Sequence, residues 1–306
     1  MKKTYDLIII GAGPAGITAA IYAARKKMNC LVVTLDIGGQ AAWSSDIENY
    51  TGYQFISGME LASKFEEHIK KYDVEVRENE AVKEVWKENA TVCVKTEKNT
   101  YFSRAVIIAS GKKSKTLGAA GETEFKNKGL TYCATCDGPL FEGKKVAVVG
   151  GGNSALDAAL QLLRIAKQVY VINVLEELGG DAVMREKLEV FKNVTVINNA
   201  EVTKISGQKM VESITYKKAA KESELSVQGV FVEIGLIPNS DFATGINKNE
   251  RGEILVDAQT QTNISGIFAA GDVTSVFEKQ IIIAAGEGAK AALKVFRYLT
   301  AFGEKI

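Results

Sequence analysis

Cys133-Ala134-Thr135-Cys136-Asp137-Gly138 sets two thiols at CxxC spacing, with a carboxylate beside the second. Thiols this close can close a small disulfide and exchange it with another dithiol through a mixed disulfide. The thiolate is the reactive form, and a CxxC arrangement near a helix start lowers the pKa of one thiol. The competing chemistry is zinc binding, which needs four ligands. Only Cys30, Cys93 and the single His68 remain to complete such a set, far apart in the sequence. No metal site is therefore expected, and Cys133 and Cys136 read as a redox pair. Asp137 can carry the proton that thiol–disulfide exchange must move; its other reading is a turn-forming Asp before Gly138. Cys30 and Cys93 lie in apolar or alternating stretches and read as buried thiols. His68, within Glu66-Glu67-His68-Ile69-Lys70, reads as solvated surface.

Gly11-Ala12-Gly13-Pro14-Ala15-Gly16 follows an apolar run and opens a helical pattern, the context a dinucleotide fingerprint requires. Gly11 makes the turn, Gly13 lets a pyrophosphate approach the backbone, and Gly16 lets helix and strand pack closely. The phosphates then meet free N–H groups and the positive end of the helix dipole. Asp36 lies 25 positions after Gly11, at the end of the next apolar strand, and can hold a ribose hydroxyl. The alternative is a packing turn without a ligand. Gly150-Gly151-Gly152-Asn153-Ser154-Ala155 repeats the device with Ala in third place. Two copies imply two dinucleotides, and hence electron transfer between them. After the second strand of this copy, Val174-Leu175-Glu176-Glu177 offers carboxylates and no arginine. A 2′-phosphate wants an Arg and a free 2′-hydroxyl wants an acid, so Glu176 favours NADH over NADPH. Gly271-Asp272 ends another apolar strand, where an Asp points at the ligand crevice. The helix starting near Gln280-Ile281 offers its positive end to an anionic reduced isoalloxazine.

The elements that must position these residues are legible as two segments of one grammar. Each runs apolar strand, glycine turn, Ala-rich helix, second apolar strand: Tyr5 to Leu35, and Lys145 to Val174. Between them Gly58–Tyr72 predicts a helix, and Ala81–Thr91 and Thr91–Thr100 predict paired alternating strands. Arg104–Ala109 predicts another strand, and Lys112–Gly121 reads as a linker. Beyond the second unit, Val194–Ile197, Glu201–Ser206, Val211–Tyr216 and Gly229–Ile234 alternate like strands. Glu253–Val256, a strand at Gly266–Ala270 and a helix from Gln280 to Thr300 close the chain. The fold class is α/β, with two Rossmann-like three-layer nucleotide-binding domains, the second inserted into the first. The expected boundaries are 1–115 with 245–306 for the first and 116–244 for the second.

The 306 residues carry 38 Lys and Arg against 37 Asp and Glu, a net charge of +1, with 46% apolar residues. Disorder and a dedicated nucleic-acid binder are excluded on that balance. Met1-Lys2-Lys3 before the uncharged run Leu7–Ala24 imitates a signal peptide, but Asp6 interrupts the junction and Gly11, Gly13, Pro14 and Gly16 break the run. No membrane span is expected. Four cysteines are no disulfide scaffold, so a reducing cytoplasm is expected.

These motifs together resemble the low-molecular-weight thioredoxin reductases over nearly the whole chain. The resemblance rests on the two glycine motifs, the CxxC, Gly271-Asp272, Gly38-Gly39-Gln40, Ile47-Glu48-Asn49-Tyr50 and Ala109-Ser110-Gly111. Phe231–Asn239 and Lys279–Lys290 resemble, more closely still, the flavoprotein subunit of alkyl hydroperoxide reductase. That relative carries an extra N-terminal thioredoxin-like domain; this chain starts at the first fingerprint and would need a separate carrier protein. The resemblance implies FAD held by the first and last segments, with Gly39, Gln40, Asn49, Ala109 and Gly111 among its contacts. It implies a pyridine nucleotide on the inserted domain. It assigns Cys136 to the flavin side, Cys133 to attack on the partner's disulfide, and Asp137 to proton donation. It also implies a homodimer, and a rotation between domains about linkers near Thr116–Gly118 and Asn239–Gly245.

One departure matters. NADPH-specific members carry His-Arg-Arg where this chain has Asn173-Val174-Leu175. The donor is thus NADH, NADPH through other contacts, or reduced ferredoxin. The expected activity is reduction of a thioredoxin- or glutaredoxin-like protein through FAD and the cysteine pair. Alternatives are a ferredoxin-dependent flavin thioredoxin reductase, a ferredoxin–NAD(P) reductase, which would not use a CxxC, and a flavin-bound regulator whose disulfide sets its conformation.

Overall fold

β1 (Thr4–Ala12) buries Leu7, Ile8, Ile9 and Ile10 in succession. A strand apolar on both faces belongs inside a parallel sheet covered on both sides. α1 (Pro14–Arg25) starts on a proline, whose missing N–H and fixed φ suit a first helical turn, and buries an Ala-rich face. β2 (Cys30–Ile37) returns parallel to β1. α2 (Gly58–Ile69) is capped by Ser57, whose hydroxyl accepts the Glu60 N–H. β3 (Glu75–Arg77) adds to β2, β4 (Val82–Glu88) and β5 (Thr91–Thr96) form an antiparallel hairpin, and β6 (Thr100–Ile108) joins that hairpin to β1. The computed structural model describes residues 3–301 except 44–46, 48 and 220; the side chains of Trp43, Thr135 and Cys136 also lie outside that description.

The chain then enters β7 (Lys112–Ser114), a strand inside the stretch expected to be a linker. α3 (Glu122–Phe125), β8 (Leu130–Thr131) and α4 (Ala134–Asp137) follow. β9 (Lys145–Val149), α5 (Asn153–Leu162) and β10 (Gln168–Ile172) form the second glycine-turn unit. Next come α6 (Ala182–Glu189), β11 (Val194–Ile197), β12 (Ala200–Gly207), β13 (Val211–Lys218), β14 (Lys221–Ser226) and β15 (Gly229–Val232). β11, β10, β9, β15 and β8 make one parallel sheet in that order, and β12, β13 and β14 an antiparallel one. Fully buried Val146, Val148, Leu162, Val169 and Phe231 fill the space between the parallel sheet and α5. Burying an aliphatic or aromatic side chain of this kind stabilises by about 1.5–3 kcal/mol.

The chain returns through β16 (Leu236–Pro238), which pairs with β7, then β17 (Ile267–Ala269) and α7 (Ile281–Ala301). β17 lies parallel to β6, completing a seven-stranded sheet of order β3-β2-β1-β6-β5-β4. Glu253–Val256 forms no ladder; Ile254 makes isolated bridges to Lys248 and Thr274. α7 packs against α1 closely enough that a Cβ at Gly288 would lie 2.0 Å from the Ala15 carbonyl oxygen.

Two compact units result, Met1–Lys113 with Ile237–Ile306 and Ser114–Leu236. The segments expected to be linkers lie inside these units. Leu117 and Gly118 donate their N–H groups to the Glu122 carboxylate. Asn239 is tied to Ser110 and Gly111 by three hydrogen bonds, and Ala243 is fully buried in the first unit's core. Among the described residues no helix is long and apolar enough to cross a membrane. Nor, among them, could any group of three or more His, Cys, Asp or Glu side chains hold a metal ion.

Candidate functional site

In the first unit, Gly11 turns the chain from β1 with φ +100°, and a Cβ at Gly16 would sit 1.9 Å from the Gly11 carbonyl oxygen. Glycine at position 16 is therefore required for α1 to start where it does. Gly13 is the N-cap of α1 and no side chain caps the helix. A Cβ at Gly13 would meet nothing nearer than the Gly38 carbonyl oxygen at 3.9 Å, and one at Gly39 would lie 3.4 Å from the Gly13 Cα. Bare helical N–H groups over a glycine-walled space suit a diphosphate. Pro14 and Ala15 form the first turn, with Ala15 buried. Gln40 is half-buried in the short turn after Gly39, and Asp36 is exposed at the end of β2. Thr34 was not read as functional. Its hydroxyl accepts the Ala12 N–H at 3.1 Å and donates to the Asp36 carbonyl at 2.6 Å, tying the glycine turn to the Asp36 backbone. The signal for it was a polar residue inside the otherwise apolar run Leu31–Leu35.

Ala109 is buried at the end of β6, and Gly111 stands open, with φ +62°. Gly271, after β17, donates its N–H to the Glu287 carboxylate at 2.9 Å. Burial pushes Glu287 up, while that N–H, Lys290 and Lys279 pull it down; the net direction is up. Asp272 is likewise pushed up by burial, against the charges of Lys279 and Lys112. Beside it Glu253 accepts from Lys112 at 3.1 Å and lies 3.3 Å from Lys279. Burial raises the Glu253 carboxyl, but hydrogen bonds from Asn249 and the two lysines outweigh it and hold it at about 2. Burial lowers Lys279, with Glu253 opposing. Neither Glu253 nor Glu287 was picked out from the sequence. Asn49 donates its side-chain amide to Gln280 at 3.1 Å, and Ile281 packs on Ile47, Ile56 and Leu61. Glu48 lies outside the described residues.

The second unit repeats the turn. Gly150 has φ +140°, and a Cβ there would lie 2.1 Å from the Glu233 carbonyl oxygen. Gly152 caps α5 without a side-chain bond and faces open space. Asn153 accepts the Asp181 N–H at 2.7 Å, so its oxygen braces a loop; Ser154 is exposed and Ala155 fully buried. Asn173 is buried, and its amide donates to Leu175, Glu177 and Asn198. It folds the loop that leaves Val174, Leu175 and Glu176 exposed. Arg185 on α6 reaches the Leu178 carbonyl of this loop. Glu233, at the end of β15, is pushed up to about 8 by burial and by the nearby Asp157 charge.

Cys133 is disulfide-bonded, whereas Cys30 and Cys93 are buried thiols outside any disulfide, with the Cys30 thiol pushed up to about 12 by burial. His68 is exposed. Thr131, at the end of β8, accepts the Cys133 N–H at 3.1 Å and donates to the Asp137 carboxylate. The Asp137 N–H returns to the Cys133 carbonyl at 3.2 Å. The Tyr132 hydroxyl donates to Glu122 at 2.5 Å, and burial with that carboxylate raises the phenol. Tyr132 directly follows β8, so two consecutive side chains before Cys133 are tied down, Thr131 to Asp137 and Tyr132 to Glu122.

Residues 5–288 match the family model described as pyridine nucleotide-disulphide oxidoreductase. A protein of Ferdinandcohnia aciditolerans called NADH dehydrogenase is 43% identical over 301 residues, 97% of this chain and 58% of its own. The F subunit of the alkyl hydroperoxide reductase of Escherichia coli is 40% identical over 306 residues, 97% of this chain and 59% of its own. The chain thus spans about three fifths of these curated relatives. The crystal structure of Lactococcus lactis thioredoxin reductase superposes with a TM-score of 0.91 at 34% identity, covering 97% of this chain and 99% of that one.

Proposed function

Because the chain belongs to the pyridine nucleotide-disulphide oxidoreductase family, we propose that it is an FAD-dependent disulfide reductase. It draws electrons from NADH and delivers them through Cys133 and Cys136 to a thioredoxin- or glutaredoxin-like protein. The observation that carries this reading is the disulfide-bonded Cys133 with Asp137 held beside its backbone by Thr131. When bound, FAD supplies a two-electron relay between the nucleotide and the disulfide. The uncapped first turn of α1 and the open space at Gly13 support a diphosphate there. Asp36, Gly39, Gln40, Asn49, Ala109, Gly111, Gly271, Asp272, Gln280 and Ile281 would hold the rest. Gly150, Gly152, Asn153, Ser154, Ala155 and Glu176 would hold the pyridine nucleotide.

In the reduced protein, the Cys133 thiolate attacks a partner disulfide. The partner's S–S bond breaks, a mixed disulfide forms, and the leaving sulfur takes a proton from the Asp137 carboxyl. The Cys136 thiol then passes its proton to the ionised Asp137 and attacks Cys133 Sγ; the partner's second sulfur leaves, takes that proton from Asp137, and the partner departs as a dithiol with the Cys133–Cys136 disulfide restored. Two electrons and two protons have passed to the partner.

For the donor, the exposed Glu176 and the absence of basic residues at Asn173-Val174-Leu175 favour a free ribose over a 2′-phosphate. The relative called NADH dehydrogenase supports the same choice. A homodimer in a reducing cytoplasm belongs to this proposal. Steady-state reduction of a purified thioredoxin with NADH, NADPH or reduced ferredoxin tests it: NADH should serve best, and no reduction with any of the three would overturn it.

A further inference from the structure

We propose that Thr131 is a positioning residue for the thiol–disulfide step: its hydroxyl couples the Asp137 carboxyl to the backbone of Cys133. The inference rests on the reading of the chain as a disulfide reductase. Thr131 is 6% exposed and closes the strand β8, where Thr131 pairs with Phe231 of the central sheet. It is thus fixed to the rigid part of the second unit. From there one oxygen makes two bonds. It accepts the Cys133 N–H at 3.1 Å and donates its own proton to Asp137 Oδ2. The Asp137 N–H returns to the Cys133 carbonyl at 3.2 Å, closing a ring through the acid, the nucleophile's backbone and the threonine.

The chemistry needs such a ring. α4 has only four residues, so it offers little rigidity of its own. An acid that must deliver a proton to a departing sulfur has to be held relative to the attacking one. Without the hydroxyl, Asp137 keeps its backbone bond but loses the tie to the sheet, and the Cys133 N–H loses its acceptor. A serine keeps both bonds; a valine keeps the shape and drops both.

The test uses the holoenzyme pre-reduced with dithiothreitol, freed of reductant and mixed anaerobically with oxidised thioredoxin. One turnover then proceeds without a nucleotide donor. Thr131→Val should slow formation of thioredoxin dithiol at least tenfold, with the half-saturating thioredoxin concentration within twofold. Thr131→Ser should stay within threefold of wild type. In an Asp137→Asn background, Thr131→Val should cost less than twofold more, because the two act as one unit. If Thr131→Val does not fold, Thr131→Ala takes its place in every arm. The proposal is overturned by a Val variant within threefold of wild type, a Ser variant as slow as Val, or full additivity with Asp137→Asn. A wild-type protein that reduces no disulfide would instead overturn the functional reading beneath it.

Discussion

The side-chain amide of Asn49 donates to the Gln280 side-chain oxygen at 3.1 Å, joining residues 231 positions apart. The contact ties the segment after the Gly38-Gly39 turn to the start of α7, the two stretches assigned to the flavin side. A neutral hydrogen bond contributes about 0.5–1.5 kcal/mol. Gln280→Ala should therefore weaken FAD binding by roughly threefold to tenfold. Fluorescence titration of the apoprotein with FAD reads this directly; an unchanged dissociation constant would remove Gln280 from the FAD site.

Glu253 is a buried carboxylate between two lysines, held at about 2 against an ordinary 4.5. Because its folded value is depressed, it contributes stability above pH 4.5, lost as pH falls from there through about 2. The shift corresponds to about 3 kcal/mol at neutral pH. Glu253→Gln should melt well below wild type at pH 7, with the gap closing toward pH 2.5. A gap of equal size at both would refute the ion-pair account of this cluster.

Glu233 has the opposite sign. Its folded value is raised from 4.5 to about 8, so its contribution is fully present below pH 4.5 and is lost as pH rises through about 8. Glu233→Gln removes that loss. The variant should melt higher than wild type at pH 9 and equally at pH 4, as thermal unfolding across that range can determine. Equal melting at pH 9 would mean that the carboxyl does not bear the burial strain assigned to it.

The family resemblance and the α/β class were readable because the glycine motifs are local: turn, helix start and close packing all follow from residues within a few positions of Gly11 and Gly150. Contacts set by long separations were not. Lys112 and Glu253 are 141 positions apart and Gly271 meets Glu287 across the gap from strand end to helix. Neither pairing leaves a periodic trace. Thr131 stands near the CxxC, yet its bond to Asp137 depends on how tightly α4 turns after β8. β14 was missed for a different reason. Lys-Glu-Ser-Glu-Leu-Ser forms the edge of a three-stranded sheet, and Leu225 is the one apolar residue it packs on the core, too little to give an alternating signal. β3, three residues long and also an edge, gave no signal either.

On the proposed reading, donor choice follows from the loop that Asn173 folds. NADH should exceed NADPH by about tenfold in kcat/KM, a difference of about 1.4 kcal/mol. A tenfold preference for NADPH would show that a cation outside Val174–Glu177 reads the 2′-phosphate.

The central claim is that reducing power leaves this chain through sulfur. Cys136→Ser, purified with its yellow colour intact, should be reduced by NADH yet form no thioredoxin dithiol under anaerobic conditions, while wild type forms it catalytically. Full thioredoxin turnover by the Ser variant would contradict the account.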